Sequence, residues 1–152
     1  MSTFANRAST GALIVLAAFA AASAHAALGG DVASVLRDGT ALRASHAVTP
    51  FPAYDLHEAT RADGTVLREY VDKSGKVFAL SWRGPASPDV RALLGAHAAH
   101  YEAVRSRFSN RHVVNIEEPG LAVSIVKLPR GWRGQAVLPA AIPAGVARTE
   151  LR

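Results

Sequence analysis

His97-Ala-Ala-His100 is the sequence's plainest metal-ligating spacing. Two imidazoles at i and i+3 of a helix can turn toward one ion. The zinc-protease pattern needs His-Glu-x-x-His, and alanine stands here where its glutamate would be. Spacing fixes no third ligand, although His112, Glu102 and Glu117-Glu118 are present. His97 also falls on an apolar helical face, so a hydrogen-bonded core histidine is the favoured reading and no cofactor is expected.

A second group could hold an anion. Lys127, Arg130 and Arg133 surround Trp132 in what reads as one hairpin turn, Pro129–Gly134. Cations beside an exposed indole can retain an anionic headgroup, a polysaccharide or an acidic partner through charge and cation–π contact. The competing reading is a solvated turn whose tryptophan folds back on the sheet.

Nucleophilic chemistry has no support. The chain has no cysteine, which excludes thiol catalysis, disulfides and zinc–thiolate sites. Ser81 and Ser124 fall in strand-like runs rather than in Gly-x-Ser-x-Gly elbows. Glu58 and Glu69 are too generic for a glycosidase pair. Arg68, Glu69 and Asp72 read as cross-strand ion pairs.

The elements that must position these groups follow from periodicity. Tyr54–Thr60, Thr65–Val71 and Lys76–Trp82 read as strands, joined at Asp63-Gly64 and Ser74-Gly75 by residues suited to tight turns. Phe78, Leu80 and Trp82 share one face by period two, and that face should meet the core. Ser87 reads as an N-cap, with Pro88 and Asp89 in the first turn of a helix running to Arg107. Its apolar face is Val90, Leu93, Leu94, His97, Tyr101, Val104 and Phe108. His112–Glu117, Leu121–Leu128 and Gln135–Leu138 read as further strands. A short helix over Val32–Leu36, a turn over Thr40–Ser45 and a loop over Val48–Pro52 precede them. The fold class is α+β: a three-strand meander, a long helix packed on one sheet face, and two to three further strands.

The first 26 residues read as a secretory signal peptide. Arg7 is the only charged side chain before Asp31, an alanine-rich apolar run begins at Gly11, and Ala24-His25-Ala26 offers small residues to signal peptidase. Cleavage is expected between Ala26 and Ala27. The apolar run is short for a membrane span and lacks a following basic cluster. Of the 152 residues, 27–152 would form one domain. Its removal lowers the formal charge from +5 to +4, too modest a charge to signal nucleic-acid binding.

Ala27-Leu-Gly-Gly30, Arg68–Val71, Gly75–Pro85, Pro88–Gly95 and the Leu-Pro then Pro-Ala-Gly-Val pattern over 138–146 resemble domain-of-unknown-function family 2844. The resemblance implies a small exported proteobacterial protein and carries over no activity or catalytic residue. The favoured expectation is a non-catalytic periplasmic or secreted binding or accessory protein. Its partner would be an anionic envelope component or another exported protein, with no membrane span after cleavage. The alternative class is a small periplasmic enzyme or metal-binding protein using His97 and His100.

Overall fold

The computed structural model describes residues 27–31, 45–108 and 112–152. Among them, seven strands form one antiparallel sheet: β1 Ser45–Pro50, β2 Tyr54–Thr60, β3 Val66–Asp72, β4 Val77–Gly84, β5 Val113–Glu118, β6 Leu121–Leu128 and β7 Gly131–Val137. Their order across the sheet is β1-β2-β3-β4-β7-β6-β5. Two meanders, β1–β4 and β5–β7, are thus joined where β7 pairs with β4. The protein is mainly sheet. Between the meanders lies a helical stretch: α1 over Val90–Leu94, a 3-10 turn over Gly95–His97, and α2 over Ala98–Arg105.

The expected turns are present, and aspartates hold them. Asp72 Oδ1 accepts from the main-chain N–H groups of Ser74 and Lys76 and from the Ser74 hydroxyl. Asp63 Oδ1 accepts from Thr65 N–H at 2.8 Å. Such local bonds favour the turn over continued strand. The expected loop at Val48–Pro52 is corrected in part: Val48, Thr49 and Pro50 belong to β1, paired with β2. Pro50 ends an edge strand, where a missing donor removes little from the ladder. Ser45 likewise begins β1 and does not end a turn. The expected helix at Val32–Leu36 and the leader through Ala26 lie outside the described residues.

One irregularity changes the core. Val71 pairs with Val77, but Tyr70 pairs with Ala79, so Phe78 is an extra residue in β4. This β-bulge resets the two-residue alternation. Val77, Leu80 and Trp82 face the helical stretch, while Phe78 and Ala79 face the other way. The expectation that Phe78 shares a face with Leu80 and Trp82 is therefore corrected. All six residues from Val77 to Trp82 are buried, because both faces of β4 are covered.

On one face, Leu93, Leu94, Tyr101 and Val104 pack with Leu80, Trp82, Val114, Ile116, Val123 and Ile125. Asp89, not Ser87, caps α1, accepting from Arg91 and Ala92 N–H. The single long helix expected is broken at Gly95, whose φ of +52° ends α1. A Cβ there would stand 2.4 Å from that of Ala27. The Ala27–Gly30 segment crosses this point, with Leu28 N–H bonded to Leu93 C=O and Gly29 N–H to Val77 C=O. Phe108, expected on the apolar face, is 43% exposed.

On the opposite face, Tyr54, Tyr70, Phe78, Ala79 and Val137 form a smaller core. The tail covers it: Leu151 is fully buried there, with Ile142 and Val146 packed alongside. Arg148 clamps the tail to β5 through paired bonds to Glu117 at 2.6 and 2.8 Å.

Candidate functional site

The tail covers only one end of its sheet face. The pairing register sorts the side chains there into rows perpendicular to the strands. Leu56, Tyr70, Ala79, Val137 and Ala122 form the apolar row under the tail. The next row is polar on six consecutive strands: Glu58, Arg68, Ser81, Gln135, Ser124 and Asn115. Beyond it, Arg83 and Arg133 stand directly opposite each other on β4 and β7. Val66 and Val126 flank that pair on β3 and β6.

The arginine row and the middle of the polar row, from Arg68 to Ser124, line a cleft of about 390 Å³, closed at the tail end by Leu151 and Arg152. Its basic groups are Arg68, Arg83, Arg133 and Arg152. Glu58 takes Arg68 Nε at 2.7 Å. Arg68 Nη1 and Tyr70 O–H both donate to the main-chain oxygen of Arg152. The Gln135 side-chain amide donates to Leu151 C=O. Ser81 is buried on the floor, 5% exposed.

Arg83 and Arg133 are the unbalanced charges. Directly opposed residues on antiparallel strands have Cβ atoms about 4.5–5.5 Å apart, and like charges there destabilise. Among the described residues neither arginine has an ion-pair partner. Both also line an adjoining depression with Arg130 and Asp63. The Asp63 carboxylate is held below its ordinary range by its bonds from Thr65. A positive cleft with hydroxyl and amide groups on its floor is suited to retaining an anion by charge-assisted bonds.

The residues expected around Trp132 are not gathered into one turn. The turn is only Pro129-Arg130, and β7 begins at Gly131. Lys127 and Trp132 are paired across β6 and β7 on the helix side, with Nζ 5.7 Å from the ring centroid. Trp132 is half-buried against the helix-side core. Arg133, the next residue, points to the opposite face and joins the cleft. Arg130 lies at the tip, within reach of the adjoining depression. The structure thus brings Arg133 together with Arg83 and sets Lys127 on the other face, while Trp132 shares the adjoining depression with Arg83, Arg130 and Arg133.

The two histidines of the metal spacing go to different surroundings. The His97 Nε2 lies 3.5 Å from where a Cβ on Gly29 would stand. His100 is exposed and bonds Glu118 on β5. Among the described residues no three His, Asp or Glu side chains are placed to hold a metal ion. Elsewhere, His57 is buried opposite Glu69 and meets His46 at 3.3 Å. The expected cross-strand ion pair of Arg68 is present, made to Glu58 directly opposite on β2, while Glu69 faces the other side of the sheet and the Asp72 carboxylate holds its turn.

Arg68, Ser81, Arg83 and Gln135 were not legible as a group. The available signal was the alternation Ser81-x-Arg83 and Arg133-x-Gln135. With Pro129–Gly134 read as a turn, Arg133 had no phase and could not be matched to Arg83.

Among the described residues no helix is long and apolar enough to cross a membrane. No curated protein and no solved structure matches the chain. A family model described as "Protein of unknown function (DUF2844)" matches residues 24–151. The match spans the whole sheet, the helical stretch and the tail through Leu151, and the chain belongs to that family.

Proposed function

We propose that this is a non-catalytic exported binding protein that takes an anionic ligand in the arginine cleft. The observation that carries this reading is the opposed pair Arg83–Arg133. Two arginines directly paired across β4 and β7 line a cavity whose floor is polar. A fold gains nothing in stability from that arrangement, whereas an anion between them turns repulsion into two charge-assisted contacts. The cavity volume falls within the range of small-molecule sites.

Export is the other half of the proposal and rests on the leader. Leu28, two residues past the expected cut, lies in the core at 2% exposure, so cleavage after Ala26 leaves that contact intact. Mass spectrometry of the native protein should find Ala27 at its amino terminus, and an intact Met1 would refute cleavage.

Binding is tested by thermal unfolding with sodium sulfate or sodium phosphate against sodium chloride at matched ionic strength. Sulfate and phosphate should raise the melting temperature of the wild type beyond the chloride control. The increment should vanish in Arg83→Gln/Arg133→Gln. Equal effects of all three salts would sink the reading.

A further inference from the structure

We propose that the cleft's ligand is a phosphomonoester: a doubly charged phosphoryl group held between Arg83 and Arg133, carrying an organic body toward the tail. The inference rests on the anion reading above and narrows it to one chemistry.

Charge comes first. The unbalanced pair supplies two positive charges on adjacent central strands. A single carboxylate returns one negative charge and two oxygens, enough for one arginine fork. A phosphoryl group returns nearly two negative charges at neutral pH and three acceptor oxygens. It can bridge both forks and still accept from a third donor. Ser81 lies two residues before Arg83 on the same strand and face, with Gln135 opposite it, so a hydroxyl donor stands beside the pair. Gln135 already donates to Leu151 C=O, which leaves the serine as the free-standing floor donor of this quartet.

Size comes second. A cleft of about 390 Å³ has room for roughly a dozen water-sized volumes of about 30 Å³, far more than a phosphoryl group fills. The surplus space toward the tail is bounded by Arg68, Ser81, Gln135 and Ser124 and closed by Leu151, while Val66 and Val126 flank the arginines themselves. A polar floor closed by one apolar side chain suits a small carbon body bearing hydroxyls. The arginine row lies at the open end of the cleft and the tail at the other. The ester therefore enters with its body under Leu151 and its charge at the mouth. Glu58 and Asp63 are nearby side-chain carboxylates, and the main-chain oxygen of Arg152 is already bonded by Arg68 and Tyr70. Glu58 is neutralised by Arg68 at 2.7 Å, and Asp63 is turned to Thr65 N–H at 2.8 Å.

The same chemistry has a soluble source, such as a sugar or glycerol phosphate, and a lipid source, phosphatidic acid. Calorimetric titration of the mature protein with glycerol 3-phosphate at pH 5 and pH 7 is the test. The second phosphate ionisation lies near pH 6, so the dianion rises about tenfold over that range. Affinity should rise by about the same factor. Inorganic sulfate is a dianion at both values and should bind without that rise. Dimethyl phosphate, a monoanion, should bind at least tenfold more weakly. Arg83→Gln and Arg133→Gln should each weaken glycerol 3-phosphate at least tenfold, with circular dichroism confirming the fold. Flotation with phosphatidic acid vesicles against phosphatidylglycerol vesicles separates the two sources. Selective retention on the former supports the headgroup, and titration by the soluble ester alone supports the free metabolite. Equal affinity for dimethyl phosphate or malonate, or a pH profile matching that of sulfate, would overturn the phosphomonoester and leave an anion cleft. No response to any of these anions would remove the cleft reading itself.

Discussion

The indole of Trp82 lies against the backbone of Gly134. A Cβ at position 134 would stand 2.1 Å from Cζ2 and 2.2 Å from Cε2 of that ring. The two residues are directly paired on β4 and β7, the strands that join the two meanders. Close packing there depends on one residue lacking a side chain. Gly134→Ala should destabilise by about 3 kcal/mol, at the upper end of overpacking, because a buried indole cannot swing away. Urea unfolding followed by tryptophan fluorescence measures this directly. A midpoint unchanged from wild type would mean that the sheet parts easily at β4–β7.

Arg83 should act against stability in the absence of ligand. Arg83→Ser removes one of two facing like charges from an exposed position. Melting temperature should rise slightly, by the equivalent of about 0.2–1 kcal/mol. The gain should shrink as salt is raised, since screening already relieves the repulsion. A loss of stability at low salt would show that the arginine has a structural contact of its own.

His57 makes stability depend on pH in the mildly acidic range. Burial pushes its pKa down, and the neighbouring His46 adds to that, while Asp55 opposes it. The folded protein therefore resists protonation that the unfolded chain accepts near pH 6.5. In the window between the folded and unfolded values the unfolded state binds more protons, so stability rises with pH and falls on acidification. Urea midpoints should drop between pH 7 and pH 5. His57→Gln should flatten that slope even if its overall stability is lower. An equal slope in the variant would assign the effect to other groups.

The Glu117–Arg148 clamp should govern the tail in acid. The paired bonds from Arg148 hold the Glu117 carboxyl below its ordinary range. A depressed carboxyl contributes stability above the unfolded value, about pH 4.3, and loses it as pH falls through the folded value. The pair is partly exposed, so Arg148→Ala should cost only about 0.2–1 kcal/mol globally. Locally it should speed hydrogen exchange at Leu151 and Ile142 at pH 7. Unchanged exchange would mean that burial of Leu151 alone retains the tail.

Much of the sheet was legible because alternation and turn residues agreed. Tyr54–Thr60 and Leu121–Leu128 coincide with β2 and β6. The departures have separate physical causes. The Val48–Pro50 stretch looks like a loop because proline is read as a breaker, yet an edge strand tolerates it. Helix periodicity from Val90 to Phe108 ran through Gly95, because the pattern counts apolar positions and does not register a left-handed residue. The cleft was hidden for a different reason. It is assembled from strands far apart in sequence, and its register depends on where β7 starts. Arg130, Trp132 and Arg133 do share the adjoining depression, but the partners of Arg133 in the cleft, Arg83, Arg68 and Ser81, are far from it in the chain.

The extra residue at Phe78 gives β4 two phases. From Ala79 onward, every side chain on the strand faces the side opposite to that assigned by counting from Val77. Deleting one residue between Val77 and Leu80 would restore a single phase. It would keep Val77, Leu80 and Trp82 on the helix side and remove only one tail-side residue, whereas loss of a residue elsewhere, such as Ser81, would turn Trp82 to the wrong layer. β4 should accordingly accept many substitutions of similar volume, and a change in length only at the Phe78-Ala79 bulge. Within this family, gaps in an alignment should cluster in the hairpin tips and, within this strand, at the bulge.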